Sequence, residues 1–149
     1  MSGEQDIWVI VEHSEGEVKP ISLEAIRAAR DLATETGGQV VAVSFQEKQG
    51  GVGEQLLTSG PDRVRVLINS AFETFNNQVF RDGLLPLLKG APPKAILMGA
   101  TNHGKELLAG LSASLGVGLA TDCISITFAD GLVVKRPVYS GKAISTLKF

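Results

Sequence analysis

Ile7-Trp8-Val9-Ile10-Val11 and Val40-Val41-Ala42-Val43 are two uninterrupted apolar runs, separated by a stretch with the period of an amphipathic helix. A strand with one wet face alternates apolar and polar residues, whereas a strand covered on both faces does not. Both runs therefore predict buried parallel strands. Between them, Ser22 is a candidate helix cap. Ala25, Ile26, Ala29, Leu32 and Ala33 share one helical face, and Gly37-Gly38 supply a stop. Strand, helix and strand make a β-α-β unit, whose crossover is right-handed. The fold class follows: an α/β protein in three layers, with a doubly wound, mainly parallel sheet.

Working outward, Val64, Val66 and Ile68 interleave with Arg65 and Leu67, which predicts an edge strand. Residues 72–89 have helical spacing, and Gly83 and Pro86 predict a kink or break in the second half. Ala95-Ile96-Leu97-Met98 reads as a further buried strand. A Gly-bearing turn and a helix using Leu107, Leu108, Leu111 and Leu115 follow, with Gly116 and Gly118 to end it. From Cys123 the pattern changes. Ile124, Ile126 and Phe128 alternate with Ser125 and Thr127, Asp130-Gly131 is a hairpin turn, and Val133 to Tyr139 and Ala143 to Phe149 are further strands. An antiparallel extension at the C-terminal end is expected. The sequence reaches Phe149 within such a strand, without a polar tail, so the chain reads as one domain, residues 1–149, of something longer.

A chain of 149 residues can bury about 68–70% of its unfolded surface in one core. Aromatics are only 5% of residues against 44% hydrophobic, so that core is aliphatic. Fourteen basic against sixteen acidic residues exclude the basic excess that neutralises nucleic-acid phosphates. The polar, acidic start Met1-Ser2-Gly3-Glu4-Gln5-Asp6 is unlike a secretory signal, and no apolar run approaches the roughly 18 residues of a membrane span. No nucleic acid, no membrane and a cytoplasmic setting are expected. Cys123 is alone, so neither an intrachain disulfide nor an all-cysteine zinc site can form.

Few motifs here are of the kinds that carry chemistry. Gly99-Ala100-Thr101-Asn102-His103-Gly104-Lys105 follows a strand and precedes a helix, as a phosphate-binding loop does, but Glu106 stands where a Mg²⁺-binding hydroxyl is needed. A plainer reading has Gly99 easing the strand exit, Asn102 capping the helix and Glu106 in its positive first turn, with Lys105 unexplained. An anion site at that helix start stays open. Gly50-Gly51-Val52-Gly53 lacks the third glycine of a dinucleotide fingerprint and follows the wrong strand, so it reads as a flexible loop.

His13 lies at the carboxyl end of the first strand, where such sheets place ligands, but neighbouring Glu12 points the other way on an extended chain. Glu12, Glu15 and Glu17 read as a solvated turn. His13 and His103 are the two histidines and read as polar loop residues, too few for a histidine-rich metal site. Ser59-Gly60-Pro61 and Ser140-Gly141-Lys142 lack the preceding glycine of a nucleophile elbow. No catalytic, cofactor-binding or metal-binding residue is assigned, and the chain is not expected to be an enzyme.

Three segments resemble the alpha subunit of electron-transfer flavoproteins. The first is Ile7 to Arg30, with Val9-Ile10-Val11-Glu12-His13, then Gly16-Glu17-Val18-Lys19-Pro20 and Leu23-Glu24-Ala25. The second is Gly99 to Ile126, with Thr101, Gly104, Leu107, the Leu111 to Gly116 helix and Asp122. The third and most specific is Arg136-Pro137-Val138-Tyr139-Ser140-Gly141-Lys142-Ala143, close to the family's Arg-Pro-x-Tyr-Ala-Gly-Asn-Ala run. Residues 46–60 and 72–92 match only in layout. Lys105 stands where the family usually has Arg, Gly110 and Ser114 replace two further arginines, and Lys142 replaces Asn.

The resemblance implies an N-terminal domain of Rossmann-like, adenine-nucleotide-hydrolase-like fold that packs on a similarly folded beta subunit. The complete heterodimer carries electrons through FAD from acyl-CoA or other dehydrogenases to a quinone oxidoreductase. In that family FAD is held mainly by the carboxyl-terminal half of the alpha subunit, so this chain is not expected to bind it. Arg136, Tyr139 and the loop around Asn102 are candidate contacts with the beta subunit. The alternative is a free-standing module binding ATP or AMP, of universal-stress-protein or nucleotide-hydrolase-like type.

Overall fold

A computed structural model describes residues 3–149. Its centre is β1 (Ile7–Ile10), which pairs in parallel with β4 (Val40–Gln46) on one side and β6 (Ala95–Met98) on the other. The outer strand β5 (Arg63–Ile68) pairs with β4, giving the order β5-β4-β1-β6. Within this sheet, β1 and the next strand to join it, β4, lie side by side in the middle, and the last to join, β6, turns back to the far side of β1. That arrangement is the mononucleotide-binding half of a doubly wound fold.

The continuous apolar runs have the expected cause. Along β1, Ile7 and Val9 face one layer and Trp8 and Ile10 the other, and all four are buried. The first layer is α1 (Pro20–Thr36) with α2 (Val52–Leu57), contributing Ile26, Ala29, Leu32, Ala33, Val52 and Leu56. The second is α3 (Asn77–Gly90) with α4 (Asn102–Leu115), contributing Leu84, Leu88, Leu107 and Leu111. A fully buried side chain of this kind stabilises by about 1.5–3 kcal/mol, so the two clusters account for most of what holds the layers to the sheet.

The antiparallel strands are present. They form a sheet of their own: β7 (Ser125–Phe128), β8 (Leu132–Val138) and β9 (Ala143–Lys148), in the order β7-β8-β9. Ile126, Phe128 and Leu132 pack beside α1 on the first cluster, and Val134 is buried. Asp130 and Gly131, both at positive φ, make the β7–β8 turn. Pro137 lies on β8 beyond the last β7 partner, Ser125 opposite Lys135, where a missing N–H breaks no ladder.

Several local expectations are corrected. Ser22 does not cap α1. The helix begins at Pro20, whose fixed φ suits a first turn, and the buried Ser22 Oγ instead accepts the Glu12 N–H at 2.8 Å. Gly37 does end it, at φ 79°. Gly50 to Gly53 is not merely a loop, because Gly51 precedes α2 and Val52 is buried. The stretch 72–89 divides into a 3₁₀ turn, Ser70–Phe72, and α3, which Asn76 caps through the Val79 N–H. Helix α3 runs unbroken through Gly83 and Pro86. The proline sits on the exposed side, where water can serve the carbonyl left without a donor. Strand β6 is a sheet edge, so only Leu97 is buried and Ala95, Ile96 and Met98 are half-buried.

Candidate functional site

The order β5-β4-β1-β6 places a topological switch point between β1 and β6, at the carboxyl ends of the strands. A crevice of about 280 Å³ lies there. Its floor is Ile10, Phe45 and Met98, one wall is Phe72, Phe75 and Phe80, and Glu12, His13, Lys19, Glu73 and His103 supply the polar rim. The aromatic wall packs on the floor: Phe45 stacks on Phe80 at 4.3 Å and meets Phe72 edge-on at 4.9 Å.

Both histidines reach this crevice, and neither is a loop residue. His13 belongs to a two-residue strand, β2 (His13–Ser14), that pairs with β3 (Glu17–Val18) across a turn at Glu15-Gly16, both at positive φ. Its Nε2 lies 2.7 Å from the Phe45 carbonyl oxygen, so that nitrogen carries the proton. His103 is the second residue of α4 and stacks on Phe75 at 4.1 Å. Glu12 and His13 turn to different partners, so they form no acid/base pair.

Glu12 is the most constrained polar group of the site. Its side chain is 10% exposed, so the solvated turn expected for Glu12, Glu15 and Glu17 does not include it. Thr101 Oγ1 donates to Glu12 Oε1 at 2.6 Å and itself accepts the Gly104 N–H at 3.0 Å, so that Thr101 caps α4. Lys19 Nζ stands 3.9 Å from the other carboxylate oxygen. A carboxylate thus stands beside the start of α4, tied to its capping hydroxyl, where its charge is favourable and would oppose an anionic ligand. Thr101, not Asn102, is the cap, and Glu106 lies beyond the first turn. The sequence signal for Thr101 was present, as a β-branched hydroxyl directly before the helix, but Asn102 beside it is an equally good cap on paper.

The resemblance of Gly99 to Lys105 to a phosphate loop dissolves in the geometry. Gly104 is helical, and a Cβ on it would sit 2.1 Å from the Gly99 carbonyl oxygen. The two glycines serve close packing of the helix start on the strand exit rather than a cradle. A Cβ at Gly99 would crowd Ile21 at 2.9 Å. Lys105 finds its explanation in Asp122, 3.0 Å away across the surface. Near that pair, burial pushes the Cys123 thiol above its ordinary value and Asp122 adds to this, while Arg136 pulls it back. The Nε of Arg136 is shielded and finds no acceptor among the described residues. Tyr139, by contrast, is 80% exposed at the tip of the β8–β9 hairpin.

Among the described residues, no three His, Cys, Asp or Glu side chains gather as a metal site needs, and no helix is long and apolar enough to cross a membrane.

Comparison with known proteins matches residues 7–149 to the electron transfer flavoprotein domain. The chain is 29% identical to the electron transfer flavoprotein subunit alpha of Thermoanaerobacterium thermosaccharolyticum, over 99% of its own length and 46% of the relative's. It is 30% identical to the subunit of the same name from Bacillus subtilis, over 92% and 42%. Identity is also 30% to the LctC subunit of the lactate dehydrogenase (NAD(+),ferredoxin) of Acetobacterium woodii, over 95% and 34%. The chain spans less than half the length of these curated relatives. With the doubly wound sheet, the separate antiparallel strands and a match from the first strand to the last residue, this chain belongs to the electron transfer flavoprotein domain family.

Proposed function

We propose that this chain is the scaffold half of an electron-transfer flavoprotein alpha subunit. It binds the beta subunit and orients a flavin that segments outside residues 1–149 hold. Electrons then pass from acyl-CoA or other dehydrogenases to an acceptor such as a quinone oxidoreductase, in the cytoplasm, without a bond being made or broken on this domain. FAD supplies the redox chemistry of the complete assembly. What this chain contributes is position, since holding two reacting groups in a fixed geometry accelerates their reaction without the holder touching either.

The observation that carries this reading is the Glu12 carboxylate bonded to Thr101 at the start of α4. It lines the crevice at the switch point, and a second carboxylate, Glu73, lines it too, so an anionic ligand there would meet like charge. At about 280 Å³ the crevice is also smaller than the roughly 300–1,000 Å³ of pockets for drug-sized ligands, and FAD is larger than most of those. These residues do not fit the flavin. The share of the relatives' length that the chain spans supports the same division of labour.

The rival, a free-standing nucleotide module, rests on the crevice lying at the switch point. Titrating FAD, ATP and AMP against the purified chain separates the two. The expected result is no stoichiometric complex with any of them, together with co-purification of the chain with an electron-transfer flavoprotein beta subunit expressed beside it. A yellow stoichiometric complex of the chain alone, or micromolar ATP binding lost in Lys105→Ala, would overturn the proposal.

A further inference from the structure

The two carboxylates that oppose an anion in the switch-point crevice favour a cation there. All walls of the crevice come from residues 10–103, the doubly wound part of the chain. Aromatic residues are scarce in this protein, yet four of its six phenylalanines, Phe45, Phe72, Phe75 and Phe80, line this one space. The face of an aromatic ring carries partial negative charge and attracts ammonium and guanidinium groups. Of the charged side chains that line the crevice, Glu12 and Glu73 are acids and Lys19 is the one base.

Glu12 is the anchor. Its side chain is only 10% exposed, and the hydrogen bond from Thr101 uses one of its oxygens, Oε1. The other, Oε2, accepts no hydrogen bond among the described residues. Lys19 Nζ stands 3.9 Å from it, beyond hydrogen-bond length, on a side chain 42% exposed to the water that screens the attraction. A carboxylate buried to this degree is stabilised by a close, charged donor. At roughly 30 Å³ per non-hydrogen atom, the share of one water in the liquid, the 280 Å³ of the crevice has room for about nine such atoms.

We propose that this crevice binds a small organic cation with N–H donors, a free amine or guanidine. Its N–H groups bond Glu12, Glu73 shares its charge, and its carbon body lies against the phenylalanines. Lys19 is the resident competitor for Glu12 rather than a contact of the ligand. Such a site neither requires nor contradicts a flavin held elsewhere, so failure of either proposal leaves the other standing.

Benzylammonium, benzyl alcohol and benzoate share one ring and differ in charge, and each is titrated against the untagged chain at fixed pH. His13 and His103 are the two histidines of the sequence and both line the crevice, so their ring protons report on it by NMR. Saturable shifts with benzylammonium are expected, with a dissociation constant of about 1 mM or below, within reach of so small a ligand. The alcohol and benzoate should give none. Glu12→Gln, which keeps an acceptor for Thr101, should weaken binding at least tenfold. Glu73→Gln, and Phe75→Leu, which keeps apolar volume without the ring face, should weaken it severalfold. Lys19→Met removes the competing charge and should tighten it. Glu54→Gln, on α2 in the other helical layer, is the control.

No saturable shift with benzylammonium overturns the proposal. Equal shifts with benzyl alcohol, or with magnesium chloride, would show an apolar cleft or a general counterion effect and overturn it as well. So would tighter binding of a glycyl-arginyl-glycine peptide, which would assign the crevice to a side chain of another protein. Binding unchanged by Glu12→Gln, or weakened by Lys19→Met, removes the anchor and the proposal with it. Should Glu12→Gln fail to fold, Glu73→Gln and Lys19→Met, both on exposed side chains, decide the matter by the opposite signs expected of them.

Discussion

Gly104 and Gly110 lie on the same helix and should respond in opposite ways to one methyl group. At Gly104 the added carbon meets backbone, the Gly99 carbonyl oxygen at 2.1 Å, so the helix start must leave the sheet. Gly104→Ala is expected to lose about 1–3 kcal/mol or more, the range for overpacking, measured by urea denaturation. At Gly110 the carbon meets the far end of the flexible Arg81 side chain, while alanine gains about 1 kcal/mol of helix propensity. Gly110→Ala should be neutral or slightly stabilising by the same measurement.

Asp62 gives a prediction in pH. The Val40 N–H at 2.8 Å holds its carboxyl below the usual aspartate value; burial opposes this, and the Arg30 guanidinium adds to the lowering. A lowered folded value means that the stabilisation is fully present above the ordinary 3.8 and is lost as pH falls through the folded value. Asp62→Ala should cost about 1 kcal/mol, the net worth of such a bond, between pH 5 and 7. The gap to the parent in melting experiments should close below pH 3.8. At this scale the sequence revealed residue types but not partners. Lys105 was unexplained until Asp122, seventeen positions on, came within 3.0 Å, and the role of Glu12 depends on Thr101, which only the parallel pairing of β1 with β6 brings near.

Elements were legible where burial on two faces wrote an uninterrupted apolar run, as in β1 and β4, or where period and stop signal agreed, as in α1 with Gly37 and α4 with Gly116. They were not legible where a few residues carried the information. The six residues of α2 and the two-residue strands β2 and β3 are shorter than any period can define. Helix α3 was misjudged because propensity counts Pro86 as a breaker wherever it stands, whereas tertiary packing of Leu84 and Leu88 holds the helix on both sides of it. Since the proline is exposed and only removes a bond, Pro86→Ala should raise stability by about 1–3 kcal/mol, read from the shift of the denaturation midpoint. A loss would mean that the proline shapes the packing of α3 on α4.

For the whole molecule, the layer order follows from the strands, and the switch point follows from the strand order, but the sequence does not show that Glu12 and Thr101 meet beside it. The two hydrophobic clusters lie on opposite faces of one sheet, filled by alternate residues of the same strands. That alternation has an optical consequence. The single tryptophan, Trp8, is 2% exposed and belongs to the α3 and α4 side, with the Arg65 guanidinium 5.3 Å from its ring centre, while the single tyrosine, Tyr139, is in water. Intrinsic emission therefore watches one half of the interior, and far-ultraviolet circular dichroism watches the backbone of both. Because β1 and β4 serve both halves, the two signals should change at the same denaturant concentration; a dichroism change ahead of the emission change would reveal that α1, α2 and the small sheet come away first, unseen by the chromophore on the far side.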